Sequence, residues 1–273
     1  MPVADSHCHL DIRRSGPGLD DEGEPLFVAD LLAMAVSVGV ERTVHIGCDP
    51  ASVGWAAAAP ATYAGVVSGV GVHPNEAPRL MQRGELAAAL ADVERLAAGH
   101  ERVRAVGETG LDYFRTAPDG RSAQQEAFRA HIGMARGLDK TLVIHDRDAH
   151  ADVLRLLDEQ PIPDRVVLHC FSGDATFARA CLDRGCYLSF AGTVTFKNAE
   201  DLRDALRVTP LDRLLVETDA PFLTPSPYRG RPNASYLVPV TVRAMADVLG
   251  ADLEVLCAAL AANTSAAFGG EWE

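Results

Sequence analysis

The sequence predicts an α/β fold, a (β/α)8 barrel of the TIM type in which residues 1–273 form a single domain. The length of 273 residues is usual for one barrel of this kind. Short runs rich in β-branched residues alternate with longer helical stretches, and this alternation implies parallel strands. Several runs are apolar almost throughout, as expected of strands buried on both faces. An open, doubly wound parallel sheet is the structural alternative.

Eight runs are predicted as strands because they are short, apolar and bounded by turn residues. They are Val3–His9, Arg42–Gly47, Val66–His73, Val103–Glu108, Leu142–His145, Val166–His169, Cys186–Phe190 and Leu214–Glu217.

The stretches between these runs are predicted as helices. The first covers Phe27–Val38, and the second, Glu85–Ala98, is rich in alanine and leucine. The third runs to Arg136, with Ser122 as its N-cap and Gln125 completing a capping box. The remaining helices are predicted over Ala149–Asp158, Asp174–Arg184, Asn198–Arg207, Leu237–Leu249 and Asp252–Ala262. The segment Thr224–Tyr236, rich in proline and glycine, is predicted as a rim loop.

Composition limits the class of protein. Hydrophobic residues make up 48% of the chain, enough for a large core, yet no run of about 18 residues is apolar enough to span a membrane. The six cysteines are scattered and the N-terminus lacks a signal-peptide pattern, so a cytoplasmic protein with free thiols is expected. The net charge of −13 argues mildly against an extended basic groove for nucleic acid.

The end of the first predicted strand carries two histidines, His7 and His9. Side chains alternate along a strand, so both imidazoles face one way and could bind one cation together. Taken alone, this motif fits equally well with two hydrogen-bonded histidines in the core.

The same pattern recurs along the chain. Apolar runs lead into Glu108, His145, His169, and then Glu217 and Asp219. Burying so many unpaired polar groups would cost several kcal/mol each, whereas the carboxyl ends of barrel strands converge on one mouth. The four histidines and the carboxylates therefore predict a site for two cations, with a carboxylate such as Glu108 as the bridge.

Three further residues are weaker candidates, and two of them allow two interpretations. His73 ends a strand and either faces a substrate or stiffens the turn before Pro74. Arg147 either binds a phosphate or pairs with a neighbouring aspartate. His45 lies inside a strand and is interpreted as a satisfied core histidine.

At these residues the sequence resembles the TatD family of metal-dependent deoxyribonucleases, within the amidohydrolase-like barrel superfamily. The resemblance covers nearly the whole chain, and its motifs together are highly specific. They are Asp5–Asp11 (DSHCHLD), Gly71–Pro74 (GVHP), Gly107–Phe114 (GETGLDYF), His145–Ala149 (HDRDA), His169–Gly173 (HCFSG), Glu217–Leu223 (ETDAPFL) and Tyr228–Asn233 (YRGRPN).

The resemblance implies a (β/α)8 fold and two divalent cations, Mg²⁺ or Mn²⁺ for activity with Zn²⁺ as an alternative. The implied ligands fall into two sets that share Glu108. The first set is His7, His9, Glu108 and Asp219, and the second is Glu108, His145 and His169.

The implied activity is hydrolysis of DNA phosphodiester bonds, with Asp219 accepting a proton from the attacking water and Glu108 and His73 also in catalytic roles. His73, Arg147 and Arg229 are expected to contact the substrate, which is expected to be single-stranded DNA or frayed ends bound by a monomer. The family continues its last motif as Asn-Glu-Pro, whereas this chain has Asn233-Ala234-Ser235. This departure puts the contacts of the rim loop in question.

Two rival functions are compatible with the same residues. A metal-dependent deacylase or amidohydrolase would use this site on an amide, a lactone or an aminoacyl ester, because one scaffold hosts many reactions. A non-catalytic scaffold that retains a metal is the rival from a different class, and the intact set of ligands argues against it.

Overall fold

In the computed structural model, which describes residues 2–12, 28–270 and 272, eight parallel strands form one sheet in sequence order. The strands are β1 (Val3–Cys8), β2 (Val40–Gly47), β3 (Val66–Val70), β4 (Val103–Asp112), β5 (Thr141–Arg147), β6 (Val166–Leu168), β7 (Tyr187–Phe190) and β8 (Leu214–Val216).

The first and last strands meet, which closes the sheet into a barrel. Cys8 forms a parallel bridge with Ala220, the backbone N–H of Asp219 donates to the carbonyl of His7 at 2.9 Å, and that of His9 donates to the carbonyl of Ala220 at 2.7 Å. In a doubly wound sheet the strand order reverses at a switch point. Here the order is strictly sequential, so the (β/α)8 prediction is confirmed and the open-sheet alternative is wrong.

Ten α-helices connect or follow the strands within the described residues. They are α1 (Val28–Ser37), α2 (Val53–Thr62), α3 (Ala77–Arg83), α4 (Leu86–Gly99), α5 (Arg121–Gly137), α6 (His150–Asp158), α7 (Ala175–Leu182), α8 (Glu200–Val208), α9 (Val238–Leu249) and α10 (Leu253–Phe268). In the part of the chain that the structure describes, no helix has the length and apolar character needed to cross a membrane.

The capping box predicted at Ser122 is wrong. The N-cap of α5 is Gly120, two residues before Ser122, and glycine has no side chain that could form a capping hydrogen bond. A 3-10 turn over Pro118–Gly120 runs directly into the helix, so Ser122 already lies in its first turn. Gln125 instead donates its side-chain N–H to the hydroxyl of Tyr113 at 2.8 Å.

Two helices were not predicted, and the last helix extends well beyond its predicted end. The helix α2 is a run of alanines around an internal proline, so it shows no helical alternation of polar and apolar residues; α3 spans only seven residues. The helix α10 continues to Phe268, beyond the predicted Ala262, and ends where Gly269 follows. The predicted start of the first helix, Phe27, lies outside the described residues.

Two apolar layers support the barrel. Neighbouring residues on one strand fall into different layers, as Leu142 and Val143 do. Leu142 belongs to the cluster that packs between the sheet and most of the helices. Val143 points to the opposite face of the strand, so its cluster fills the barrel interior. That interior cluster also contains Phe268 and Trp272. The end of α10 contacts the start of β5, since the Thr141 hydroxyl donates to the carbonyl of Ala267 at 2.6 Å. The N-terminal end of the barrel is therefore filled with apolar side chains, and the C-terminal mouth remains for polar chemistry.

Candidate metal centre

Strand alternation directs the polar side chains at the mouth inward. His145 follows Val143 by two residues, and His169 follows Val167 by two, so each imidazole continues the inward face of its strand. Glu217 continues the inward face of Leu215 in the same way.

Glu108 departs from simple alternation, because Ala105 faces inward and Glu108 is three residues further on. The pairing of β4 with β5 shifts register between Val106 and Thr109. A bulge of this kind re-aims a side chain, and here it brings the Glu108 carboxylate into the mouth, where the residue is 3% exposed.

The two oxygens of Glu108 face two different groups of donors. Its Oε1 lies 2.6 Å from Nδ1 of His145 and 2.8 Å from Nε2 of His169. Its Oε2 lies 3.5 Å from Nε2 of His7 and 3.8 Å from Nε2 of His9. The structure thus brings the sequence-predicted residues together around one carboxylate.

Asp219 completes the group on the Oε2 side. Its Oδ1 lies 3.5 Å from Nε2 of His9 and 3.9 Å from Nε2 of His7, and the two imidazole nitrogens are 3.4 Å apart. His169 was implied to belong only to the second set of metal ligands, but it also lies close to the first set. Its ring stacks on that of His7 with centroids 3.9 Å apart, and its donor atom also lies within 4.8 Å of those of His7 and Asp219.

These donors fit divalent cations. Nitrogen and oxygen ligands sit about 2.0–2.2 Å from such ions, so ligands of one ion lie roughly 3.5 Å apart, close to the spacing around His7, His9 and Asp219. Imidazoles and carboxylates are ligands that Zn²⁺, Mn²⁺ and related ions accept. The fit is strengthened at His9, where Nδ1 donates to the carbonyl of Ile46 at 2.8 Å and leaves Nε2 with its lone pair toward the cluster.

The carboxylates of Glu217 and Asp112 contact histidine ring nitrogens that do not face Glu108. The sequence did not predict that they orient these histidines. Oε1 of Glu217 lies 3.2 Å from Nδ1 of His169 and also accepts the backbone N–H of Cys170 at 2.8 Å. Oδ2 of Asp112 lies 3.5 Å from Nε2 of His145. Such partners fix ring orientation and raise ligand basicity. Glu217 ended an apolar run, which was a usable signal; Asp112 lies in the GETGLDYF motif.

His73 is placed differently from the other histidines. Its Nδ1 accepts the backbone N–H of Asn75 at 3.0 Å, so the proton of the neutral ring is assigned to Nε2. That Nε2 lies 3.4 Å from Oε1 of Glu108. With this tautomer His73 is a hydrogen-bond donor facing the site and not a metal ligand, although it lies within reach of Glu108 and His145.

Burial and charge shift the proton affinities of the cluster strongly. Burial opposes ionisation of Glu108, but the imidazoles of His169 and His73 hold the pKa of that carboxyl well below its usual range. Burial disfavours a charged His9, yet Asp219 raises the pKa of that imidazole to about 9. Burial likewise opposes protonation of His169, but Glu108 and Glu217 raise its pKa well above the usual value.

A buried aspartate at the start of the chain braces the loop that carries Asp219. Asp5 accepts the backbone N–H of Thr218 at 2.9 Å and the Thr218 hydroxyl at 2.6 Å. Burial raises the pKa of Asp5 to about 6, although its hydrogen bonds to Thr218 favour the charged form. These bonds connect β1 to the end of β8 and help set the position of Asp219 beside His7 and His9.

Two of the weaker sequence candidates, Arg147 and Arg229, lie at the rim, and His45 is buried inside β2. Arg147 makes no ion pair with any described residue, contrary to its alternative interpretation, and its guanidinium lies 3.8 Å from the centroid of the Phe114 ring. Arg229 similarly covers the ring of Phe196 at 3.7 Å. His45 is buried and accepts the backbone N–H of Leu10 at 3.1 Å. Its Nε2 has no hydrogen-bond partner among the described residues and lies 3.8 Å from Oδ1 of Asp11.

The segment that departs from the family motif packs next to the metal centre. Asn233 donates to the carbonyls of Thr218 and Phe222 at 2.8 and 2.7 Å, so the loop keeps its brace without the glutamate and proline. Ala234 and Ser235 line a small cavity of about 40 Å³ beside His9.

Fold and site together define a metal-dependent hydrolase, and the comparisons with known proteins agree. The chain belongs to the TatD family: a sequence model described as TatD related DNase matches residues 4–269.

Similar proteins match this chain over most of their length. The chain is 41% identical to the uncharacterized metal-dependent hydrolase TatD of Mycobacterium tuberculosis, covering 99% of each chain. It is 43% identical to the uncharacterized metal-dependent hydrolase YcfH of Escherichia coli, covering 94% of this chain and 91% of that one. Among solved structures it is similar to YJJV, a TatD homolog from Escherichia coli, with a TM-score of 0.85, 25% identity and 97% of both chains covered.

The position of Glu108 between two donor groups makes a prediction about metal stoichiometry. Glu108→Ala is expected to weaken binding at both sites, whereas His7→Ala is expected to affect mainly one. Metal content after dialysis against Mn²⁺ measures this, with Glu85→Ala, an exposed carboxylate before α4, as the control. Undiminished occupancy in Glu108→Ala would rule out the bridge.

The raised pKa values of His9 and His169 make a second prediction. Metal binding requires neutral imidazoles, so ions must displace these protons, and affinity should rise with pH up to about 9, where His9 loses its proton unaided. The stability of the metal-free fold depends on pH in the opposite direction. Protonation of His9 stabilises the metal-free fold fully below its unfolded pKa of roughly 6.5, and that stabilisation is lost as pH rises through about 9.

Calorimetric titration with Mn²⁺ near neutral pH, in two buffers that differ in ionisation enthalpy, measures the protons released. Release of no protons would contradict the assignment of His9 and His169 as ligands.

Proposed function

We propose that this protein hydrolyses phosphodiester bonds of DNA, with single strands or frayed ends as its substrate. The observation that carries the proposal is the division of the Glu108 carboxylate between two adjacent donor groups. Residues on the two sides of Glu108 would hold two neighbouring divalent ions, which would supply a more acidic water and neutralising charge for an in-line displacement at phosphorus.

Asp219 is proposed as the proton acceptor. Burial opposes its ionisation, but the hydrogen bond with His9 lowers the pKa of the carboxyl, so it is charged at neutral pH and able to accept a proton. It is also accessible. Its side chain is 15% exposed, whereas that of His7 is fully buried, so water bound at the mouth can reach Asp219.

His73 and Arg147 are proposed to hold the phosphoryl oxygens. The side chain of His73 is 20% exposed and presents an Nε2 donor beside Glu108. The guanidinium of Arg147 lies at the end of β5, two residues after His145. Preorganised donors of this kind stabilise the negative charge that develops during displacement.

The arginines at the mouth leave positive charge for an anionic substrate. Several arginines elsewhere pair with carboxylates, such as Arg129 with Glu159 at 2.7 Å and Arg184 with Asp158 at 2.6 Å. Among the described residues, no carboxylate forms an ion pair with Arg147 or Arg229, which stack on aromatic rings instead. Their charge remains available to phosphate in a chain whose net charge is −13.

The experiment that tests this function is hydrolysis of labelled single-stranded DNA with Mg²⁺ or Mn²⁺, with and without a chelator. Asp219→Asn keeps the size of the side chain but removes proton acceptance, and turnover should fall roughly a hundredfold or more. Asp247→Asn, on the distant helix α9, is the matched control and should retain wild-type turnover.

Near-normal turnover in Asp219→Asn would exclude Asp219 as the general base. Absence of DNA cleavage by the metal-loaded wild type, together with cleavage of an amide, lactone or aminoacyl ester, would replace the proposed function with that of a deacylase.

The acidic surface predicts a shallow salt dependence of DNA binding. Contacts with phosphate should be few and confined to the mouth, so few counterions are released when DNA binds. Binding of Asp219→Asn to single-stranded and duplex DNA, titrated with salt, measures this. A steep slope with equal affinity for duplex would instead indicate an extended basic groove.

A further inference from the structure

A cavity of about 660 Å³ opens beside the metal centre, between the loops that follow β3 and β4. It begins at His73 and is bounded by Asn75 and Arg79 on one side and by Arg115 and Thr116 on the other. Its volume lies within the range of ordinary ligand sites, and none of the metal-centre residues described above except His73 lines it.

The cavity contains one cation without an ionic partner. Arg79 is neutralised by Glu76 at 2.5 Å, and the described carboxylates, including Asp119 in the cavity wall, form no ion pair with Arg115. Arg115 is exposed, so its guanidinium is free to bind an anion in the cavity.

The loop that carries Arg115 is held rigidly to the metal centre. The backbone N–H of Arg115 donates to Oδ1 of Asp112 at 2.8 Å, and Oδ2 of Asp112 accepts from Asn75 at 3.1 Å while lying 3.5 Å from His145. Thr116 is fixed in turn by Gln124 at 2.7 Å. A wall fixed in this way lowers the cost of ordering a ligand.

The residue before Arg115 is an exposed aromatic. Phe114 is 62% exposed, and Arg147 packs on its ring at 3.8 Å, which orients the ring and leaves most of it in solvent. Proteins that bind single-stranded nucleic acid combine cations for the backbone with aromatic side chains on which bases stack.

We infer that Phe114 and Arg115 bind the nucleotide next to the scissile phosphodiester, with its base stacked on Phe114 and its phosphate bound by Arg115 in the cavity. This inference rests on the proposed function and deepens it. It also supplies a cause for single-strand preference, because a base held in a duplex stack is not available to Phe114.

The test compares two substrates of the Mn²⁺-loaded enzyme: a single-stranded oligonucleotide and bis(p-nitrophenyl) phosphate, which has no flanking nucleotide. Phe114→Ala should lower the ratio of kcat/KM for the oligonucleotide to that for the small phosphodiester about tenfold, the scale of one base stack. Phe114→Tyr keeps a ring and should keep the ratio.

Arg115→Gln should raise KM for the oligonucleotide about fivefold, the scale of one charge-assisted contact. The matched control is Arg83→Gln, an exposed arginine on α3.

The outcomes separate this inference from the proposed function. If the wild type cleaves both substrates and Phe114→Ala keeps the ratio of the control, the inference is wrong while the phosphodiesterase proposal stands. If Phe114→Tyr loses as much as Phe114→Ala with unchanged metal content, stacking is not the cause and the inference is again wrong. If the wild type does not cleave the oligonucleotide, the proposed function fails and this inference fails with it.

Discussion

The structure depends on the cost of burying a carboxylate and several imidazoles in one small space. Glu108 is 3% exposed, and His7 is fully buried, so neither can rely on bulk water. An isolated charge at that depth would cost more than a protein of ordinary stability can absorb. The cluster is stable because its members are arranged as mutual partners, and the arrangement demands that several different strands end at one mouth. The barrel is the scaffold that meets this demand, and the apolar interior beneath it excludes water from below.

Much of this architecture follows from local patterns in the sequence. The features that could not be predicted from local patterns depend on contacts between distant parts of the chain or on residues that leave no pattern. Apolar runs ending in His145, His169 and Glu108 mark both the strands and the site, because burial on two faces and a polar terminus are visible in the chain itself. The inward turn of Glu108 depends on a register shift between β4 and β5, a property of pairing that a single strand does not display. The orienting roles of Asp112 and Glu217 likewise depend on contacts with histidines from other strands. The helix α2 escaped prediction because alanine packs on a sheet without leaving an alternation of polar and apolar residues.

The comparisons and the site geometry answer different questions. Full-length similarity to metal-dependent hydrolases assigns the family and the class of chemistry, and both were expected from the motifs. Substrate choice depends on the rim, which here consists of an Ala234-Ser235 segment beside His9, the Phe114 and Arg147 stack, and a cavity that opens from His73. Electrostatics is similarly local. The chain has a net charge of −13, while Arg147 and Arg229 at the mouth form no ion pair with a described carboxylate.

The hydrogen bonds between Asp5 and Thr218 span 213 residues, and they lie next to the candidate ligands His7, His9 and Asp219. During vectorial synthesis the first strand therefore leaves the ribosome long before its partner exists. His7 and His9 both come from β1, but the full group of donors around Glu108 assembles only when the last strand brings Asp219 to the mouth. A truncated nascent chain thus has no complete hydrolytic site, and the arrangement restricts activity to molecules that have finished folding.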